Sequence, residues 1–440
     1  MRCGIAAHER PPGRTPPPMN FAQAWHRLWR SHLPMQALGP LCGFATVLLI
    51  ARLGGAAAQG GFAQTKAWIE LLVVIGCFGF PQSFVYVVNR LGASARRLGL
   101  LSLGYSLAFI PLAWGLTHLA LALGWTHVDG RGAAVPLMAL AAAMFVLHGL
   151  WRGLILTNRR EMVFALVSIL PPSTLLACVL MGLASGHPAF PPLFALSATA
   201  SAALALVPMR PLLARPKVAP AALPWAALFS NGLHAFLQAM LLVLQPLLAY
   251  ALLRRQGGGN TEIGLFNAGV FLVQGLSVPI TMLSPLLFAH WTATDDASRI
   301  ARLHALTGRW LVLDALLGMV AALASFVAVP LLFGEGHRAA SPLVAAMMLG
   351  LPLTCHGRLI APALHAHDHP AVNTAAGALR LASLALGGAS LLAWMADPLL
   401  AVAMAWAVSE AIATAWVLLV LRRLARRGPQ GTGSPGEATP

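Results

Sequence analysis

Charge is what this chain has least of: Asp, Glu, Lys and Arg make up 10% of its 440 residues, where a soluble domain carries about 25%. So sparse a charge cannot cover a surface that faces water all round, which excludes an ordinary soluble enzyme. Lysine is confined to Lys66 and Lys217, so the net charge of +16 is almost wholly arginine. These arginines sit in small clusters between apolar blocks rather than along one face, which argues against nucleic acid as a partner. Cysteine is also scarce. Cys3, Cys42, Cys77, Cys178 and Cys355 show neither a disulfide framework nor zinc-ligand spacing. GxSxG, Walker A and HExxH motifs are missing, as is any pair of loop carboxylates able to hold a sugar nucleotide through a metal. No cofactor is expected.

What is present is hydrophobicity, at 58% of residues with a mean hydropathy of +0.74. It comes in blocks of about twenty residues, the length that crosses ~30 Å of hydrocarbon. The short alternating segments of membrane strands are absent. The expected fold is an all-α polytopic membrane protein with about twelve transmembrane helices. The spans are expected at 34–54, 68–88, 98–123, 134–156, 162–183, 189–209, 225–253, 263–291, 306–333, 341–363, 371–395 and 397–421. Asp397-Pro398 opens the last one with a capping residue followed by proline at the first helical position.

Around these spans, residues 1–33 form an N-terminal extension. It is proline-rich and disordered to residue 18, then interfacial where Trp25, Arg27, Trp29 and Arg30 fall together. Residues 34–209 and 225–421 are expected to be two six-helix bundles around a central cavity. A polar, proline-rich linker (210–224) joins them, and a disordered tail (422–440) follows. If the N-terminus is cytoplasmic, Arg52, Lys66, Arg131, Arg254, Arg255 and Arg338 lie outside. The clusters at Arg96-Arg97, Arg159-Arg160 and Arg422 to Arg427 then lie inside, and basic residues favour the inside about threefold. Both chain ends are therefore expected in the cytoplasm. Six spans per half is an even number, so the halves enter the membrane the same way round, as parallel repeats do. Arg52 before Gly61 and Arg255 before Gly264 echo one another at equal spacing.

Polar residues inside spans are the functional candidates, because hydrocarbon tolerates them only when they turn inward. Asn231, His234, Gln238 and Gln245 fall within about 60° of one another on the seventh span, at 100° per residue. Asn267, Gln274, Ser277 and Thr281 repeat the stripe on the eighth. Such stripes either line a wet cavity that binds a sugar or phosphate, or join helices to one another. Two deep charges stand out. Arg380, with Asn373 on the same helix face, suits an anionic substrate group because its fork matches phosphate. Glu410 suits a countercharge or an ion-coupling group, and Asp314 is a second coupling candidate; the alternative is a static Arg380–Glu410 pair. Arg309 and Arg358, nearer their helix ends, can snorkel to the interface. The His365-Ala366-His367-Asp368-His369 turn has no second cluster to complete a metal site, so no metal is expected.

Two blocks carry a family resemblance. In Gly60 to Arg90, Gly61-Phe62 leads through an apolar stretch to Gly79-Phe80-Pro81-Gln82. In Asn260 to Trp291, Glu262-Ile263-Gly264-Leu265-Phe266 opens the span and Leu287-Phe288 lies near its end. These resemble the second and eighth spans of the O-antigen and exopolysaccharide flippases, within the superfamily of multidrug, oligosaccharidyl-lipid and polysaccharide exporters. The resemblance implies two bundles working by alternating access. It implies an undecaprenyl-pyrophosphate-linked oligosaccharide as cargo, turned across the bacterial inner membrane, and no enzymatic activity. The partners implied are this lipid-linked saccharide, the phospholipid bilayer, and a polysaccharide polymerase or glycosyltransferases. The alternatives are a multidrug or small-molecule exporter of the same superfamily, or a membrane-embedded polysaccharide polymerase or acyltransferase.

Overall fold

The computed structural model describes residues 33–125, 131–157, 161–186, 189–214, 223–292, 298–366 and 369–427. Among these the order is α1 (Leu33–Cys77), α2 (Phe80–Leu91), α3 (Ala95–Ala122), α4 (Arg131–Leu156), α5 (Glu161–Ala184) and α6 (Phe190–Leu213). Then follow α7 (Trp225–Arg255), α8 (Asn260–Thr292), α9 (Ser298–Phe333), a short 3-10 turn (Glu335–Ala340), α10 (Ser341–Ala366), α11 (Pro370–Trp394) and α12 (Pro398–Arg427). The described residues contain no strand. The N-terminal extension, residues 215–222 of the linker and the tail beyond Arg427 lie outside the described residues.

The first two spans are not two simple rods. As one straight helix the 45 residues of α1 would reach roughly 65 Å, twice the hydrocarbon thickness. Gly55 (φ 73°, ψ −175°) turns the chain instead, in a backbone region that only glycine enters freely. Before the turn, Phe44 stacks on Phe271 at 4.8 Å. After it, Phe62 packs on Phe190 and Phe194 at 5.5 and 5.4 Å. The second span therefore begins just after Gly55, well before the expected residue 68. It breaks once more, where Phe78 (φ 44°) and Gly79 (φ 69°) leave the helix. Pro81 starts α2 there, where its missing N–H costs nothing. Gly79-Phe80-Pro81-Gln82 is thus a helix break, and among the described residues eleven helical stretches are long and apolar enough to cross a membrane, the first of them (Ala37–Leu91) divided at Gly55.

Neighbour contacts show the alternation. Gly60 meets Asn260, and the Trp68 indole donates to Thr117 Oγ1 at 3.0 Å, both close to the face opposite the chain ends. Gly79 meets Gly232, and Gly153 meets Pro81, toward the face that carries the first and last described residues, Leu33 and Arg427, here called the terminal face. Each half has one central helix. Helix α4 packs on α1, α2, α3 and α6, while α10 packs on α8, α9 and α12. Ala139, Ala141, Ala142 and Ala143 on α4 are fully buried; lipid tails are as apolar as leucine, so close packing of small residues must hold helices together. On the outside, Val312, Leu316, Leu323, Val327 and Leu331 form an exposed stripe along α9. A stripe of that kind faces acyl chains, not water.

The halves touch through backbone. A side chain on Gly60 would overlap the Asn260 carbonyl, and one on Gly264 would overlap that of Ala56. Ala56 and Gly60 stand one turn apart, as Asn260 and Gly264 do, so the contact is reciprocal about an internal two-fold. The residue matching Gly264 is therefore Gly60, not Gly61. Nearer the terminal face, a side chain on Gly79 would overlap the Gly232 carbonyl, and Ser83 Oγ donates to Leu228 O at 2.8 Å. Gly60→Val should lower the melting temperature in detergent, through overpacking worth about 1–3 kcal/mol. Gly43→Ala, whose added carbon meets nothing within 4 Å, should not lower it, and loss of a mid-helix glycine should raise it slightly. Equal melting of the two variants would refute the backbone crossing.

Candidate functional site

Three helices meet on one carboxylate in the C-terminal half. Glu410 on α12 is buried, with Oε2 2.9 Å from Arg380 Nε on α11. Its Oε1 accepts from Gln245 Nε2 on α7 at 3.1 Å. The Arg380 contact is too bent to count as a hydrogen bond, so it acts as a charge pair. The two terminal nitrogens of Arg380 have no partner among the described residues. Arg358 on α10 joins from the side: Nη1 donates to Ser277 Oγ on α8 at 2.6 Å, and the guanidinium lies within electrostatic reach of Glu410 and Arg380. Arg358 thus reaches inward and does not snorkel to the interface. Asp314 Oδ2 on α9 lies 2.8 Å from His356 Nδ1 on α10, with the imidazole buried. Two arginines facing one glutamate leave the Arg358–Arg380–Glu410 group cationic.

The stripes of α7 and α8 divide by depth. In the part away from the terminal face, Gln245 is sealed on Glu410, and Asn267 accepts from Tyr250 Oη at 2.8 Å. Here the polar residues join helices. In the part toward the terminal face, Asn231 and His234 are exposed, Gln238 is half-buried, and Gln274 near mid-span is exposed. Asn231 Nδ2 donates to Ala227 O of its own helix at 2.8 Å, which leaves its carbonyl oxygen outward. Asn373, expected beside Arg380, donates to Ala361 O at 3.2 Å and ties α11 to α10. The side chains of Thr281 and Arg309 lie outside the described residues, as do His367 and Asp368 of the histidine turn.

A second polar group, which motif reading missed, ties the halves together at the face opposite the chain ends. His337 Nε2 donates to Gln59 Oε1 at 2.6 Å, because the amide oxygen can only accept. Arg254 Nε and Nη2 donate to Gln64 Oε1 at 3.3 and 3.2 Å, and Nη2 also reaches Asn260 Oδ1. Gln64 Nε2 donates to the same Asn260 oxygen at 3.0 Å. Arg52, expected on the outer side, donates from Nε to Leu332 O at 2.8 Å and from Nη2 to Leu331 O. The sequence signal was available: amides and arginines crowd the two Gly-rich turns. Their pairing across 190 or more residues of chain was not.

The N-terminal half has a different character. Among its described side chains, Glu70 is the only carboxylate, and Lys66 Nζ holds it at 2.7 Å. Arg152 on α4 lies 5.5 Å from the centre of the Phe164 ring, and His148 Nε2 donates to Val167 O at 3.0 Å. This half offers no acidic pocket among the described residues. Glu410→Gln should destabilise the folded bundle by about 3 kcal/mol, because Arg380 is left without a counterion. Replacing both partners with leucine should recover most of that loss in unfolding titrations. A double variant as unstable as the single would show that the pair does not hold the helices.

No family model and no curated relative matches the sequence. Solved structures do match. A lipid II flippase MurJ in an inward-closed conformation is 11% identical, with a TM-score of 0.68 over 89% of this chain and 87% of that one. A Vibrio cholerae MATE transporter, VcmN, is 12% identical, with a TM-score of 0.62 over 93% and 98%. An inward-facing multidrug resistance MATE transporter of the MOP superfamily is 13% identical, with a TM-score of 0.60 over 89% and 95%. This chain is an all-helical, multi-pass membrane protein among its described residues, and it shares its fold with a lipid II flippase and with multidrug MATE transporters.

Proposed function

We propose that this protein is a flippase for an undecaprenyl-pyrophosphate-linked oligosaccharide, working by alternating access in the bacterial inner membrane with both chain ends cytoplasmic. The observation that carries the reading is the cation excess at Arg358, Arg380 and Glu410. A half-buried cationic group attracts a pyrophosphate and repels a cationic drug. The N-terminal half adds no described carboxylate to reverse that sign. A neighbour that flips lipid II shares the fold, which supports a lipid-linked saccharide as cargo.

In this reading the conformation seen is latched at the face opposite the chain ends and presents its exposed polar stripe toward the terminal face. The cargo phosphates engage Arg358 and Arg380, while sugar hydroxyls meet Asn231, His234, Gln238 and Gln274. Phosphate at Arg380 competes with Glu410 and loosens the α11–α12 pair. Breaking the Gln59–His337 and Arg254–Gln64–Asn260 bonds then lets the halves rock about the 210–224 linker. In this reading Asp314, paired with His356, is the coupling group, and Glu410 is the countercharge that the cargo displaces.

Proteoliposomes holding a labelled polyprenyl-pyrophosphate oligosaccharide test this directly. The purified chain should move the label to the other leaflet under a proton or sodium gradient. Arg358→Gln should slow it roughly tenfold or more, the scale of one charge-assisted hydrogen bond of about 1.5–3 kcal/mol. Asp314→Asn should abolish the response to the gradient while leaving downhill exchange. If no label moves under either gradient, or cationic dyes move in its place, the reading is wrong.

A further inference from the structure

Away from the charged group, a cavity of about 770 Å³ lies between α2, α3, α4 and α7, next to the terminal face. Its walls are apolar and aromatic, including Phe80, Phe84, Leu101, Tyr105, Trp225 and Leu228, and its mouth carries Arg96 and Arg97. We propose that this groove holds one anionic phospholipid from the adjacent leaflet, with its acyl chain between α3 and α7 and its phosphate on the two arginines. The inference rests on the groove alone and holds whatever the cargo is.

Three features select a leaflet lipid. The first is depth. From Arg97 to Ala108, both on the lining, α3 rises roughly 16 Å at 1.5 Å per residue, about half of the ~30 Å hydrocarbon core. The groove therefore spans one leaflet and stops. The second is charge. Among the described residues no carboxylate lines the cavity, and Arg96 Nε is buried with no hydrogen-bond partner, a cost that a phosphate oxygen would relieve. Basic pockets between membrane helices on an arginine-rich face suit anionic headgroups. The third is access. Leu100, Leu101, Tyr105 and Trp225 are exposed, so the groove is open along its side to the bilayer. Trp225, at the first turn of α7, sits where an interfacial aromatic belongs.

The position gives the lipid a consequence. Leu228 lines the groove and also accepts the Ser83 hydroxyl bond that ties α2 to α7. Phe80 follows directly on the Gly79 break that abuts Gly232. An acyl chain packed on both residues braces the α2–α7 contact between the halves, so a bound lipid favours the conformation closed along this seam.

Native mass spectrometry of the delipidated full-length chain, offered phosphatidylglycerol or phosphatidylcholine, reads the site. Wild type should retain one tightly held phosphatidylglycerol and prefer it over phosphatidylcholine by roughly tenfold. Arg96→Gln/Arg97→Gln should abolish the preference. Gly104→Phe should remove that adduct by filling the groove. An added carbon at Gly104 meets nothing within 4 Å, and losing a mid-helix glycine favours folding. Equal retention of the two lipids by wild type, or an undiminished phosphatidylglycerol adduct in either variant, overturns the proposal.

Discussion

Two backbone-to-backbone contacts set the relation between the halves. At Gly60 and Gly264 the crossing is so close that each glycine lies against a carbonyl of the other half, and Gly79 meets Gly232 in the same way near the terminal face. Without side chains between them, dispersion and weak Cα–H···O contacts act at short range. Such contacts are either made in full or lost, because a small separation forfeits much of the attraction. That favours two discrete arrangements over continuous flexing. The hydrogen bonds of Gln59, Gln64, Arg254, Asn260 and His337 then surround the first crossing and hold it shut.

The second constraint is the cost of charge in hydrocarbon, on the order of 2.5–3.5 kcal/mol for a central charge even on insertion scales. It explains why the C-terminal half is knit as it is. Glu410 binds α7, α11 and α12 into one unit, and Arg358 adds α8 and α10. The unit is stable and still carries surplus positive charge. In the N-terminal half indoles, hydroxyls and a histidine do the joining. Trp68 meets Thr117, Trp151 donates to Gly99 O at 3.2 Å, and Thr174 meets Ser197 and Ser201. The chemistry divides along the chain: in the first helices uncharged groups do most of the joining, and in the later ones charged groups do.

The helical class and the approximate number of spans were legible because a membrane helix satisfies its own backbone, so span length and hydropathy alone mark it. The cap at Asp397 was legible for the same local reason. Its carboxylate accepts from Leu399 N and Leu400 N at 2.9 and 3.2 Å. The start of the second span was misplaced, because the glycines and alanines after Gly55 read as a loop and form a helix. Gly79-Phe80-Pro81-Gln82 was visible as a motif, yet its role as a break packed on α7 was not.

Composition and periodicity by themselves determined that this chain crosses a bilayer with helices and that arginine would be the dominant charge. Those properties depend on residues near one another in sequence. Which polar groups meet was decided only by the tertiary structure. Gln245 and Asn267 became bonds between helices, Asn231 and His234 stayed open, and Arg358 turned inward to Ser277. The physical reason is that a stripe on one helix fixes a direction, while a partner depends on the rotation and depth of the next helix. Those follow from close packing of residues far apart along the chain.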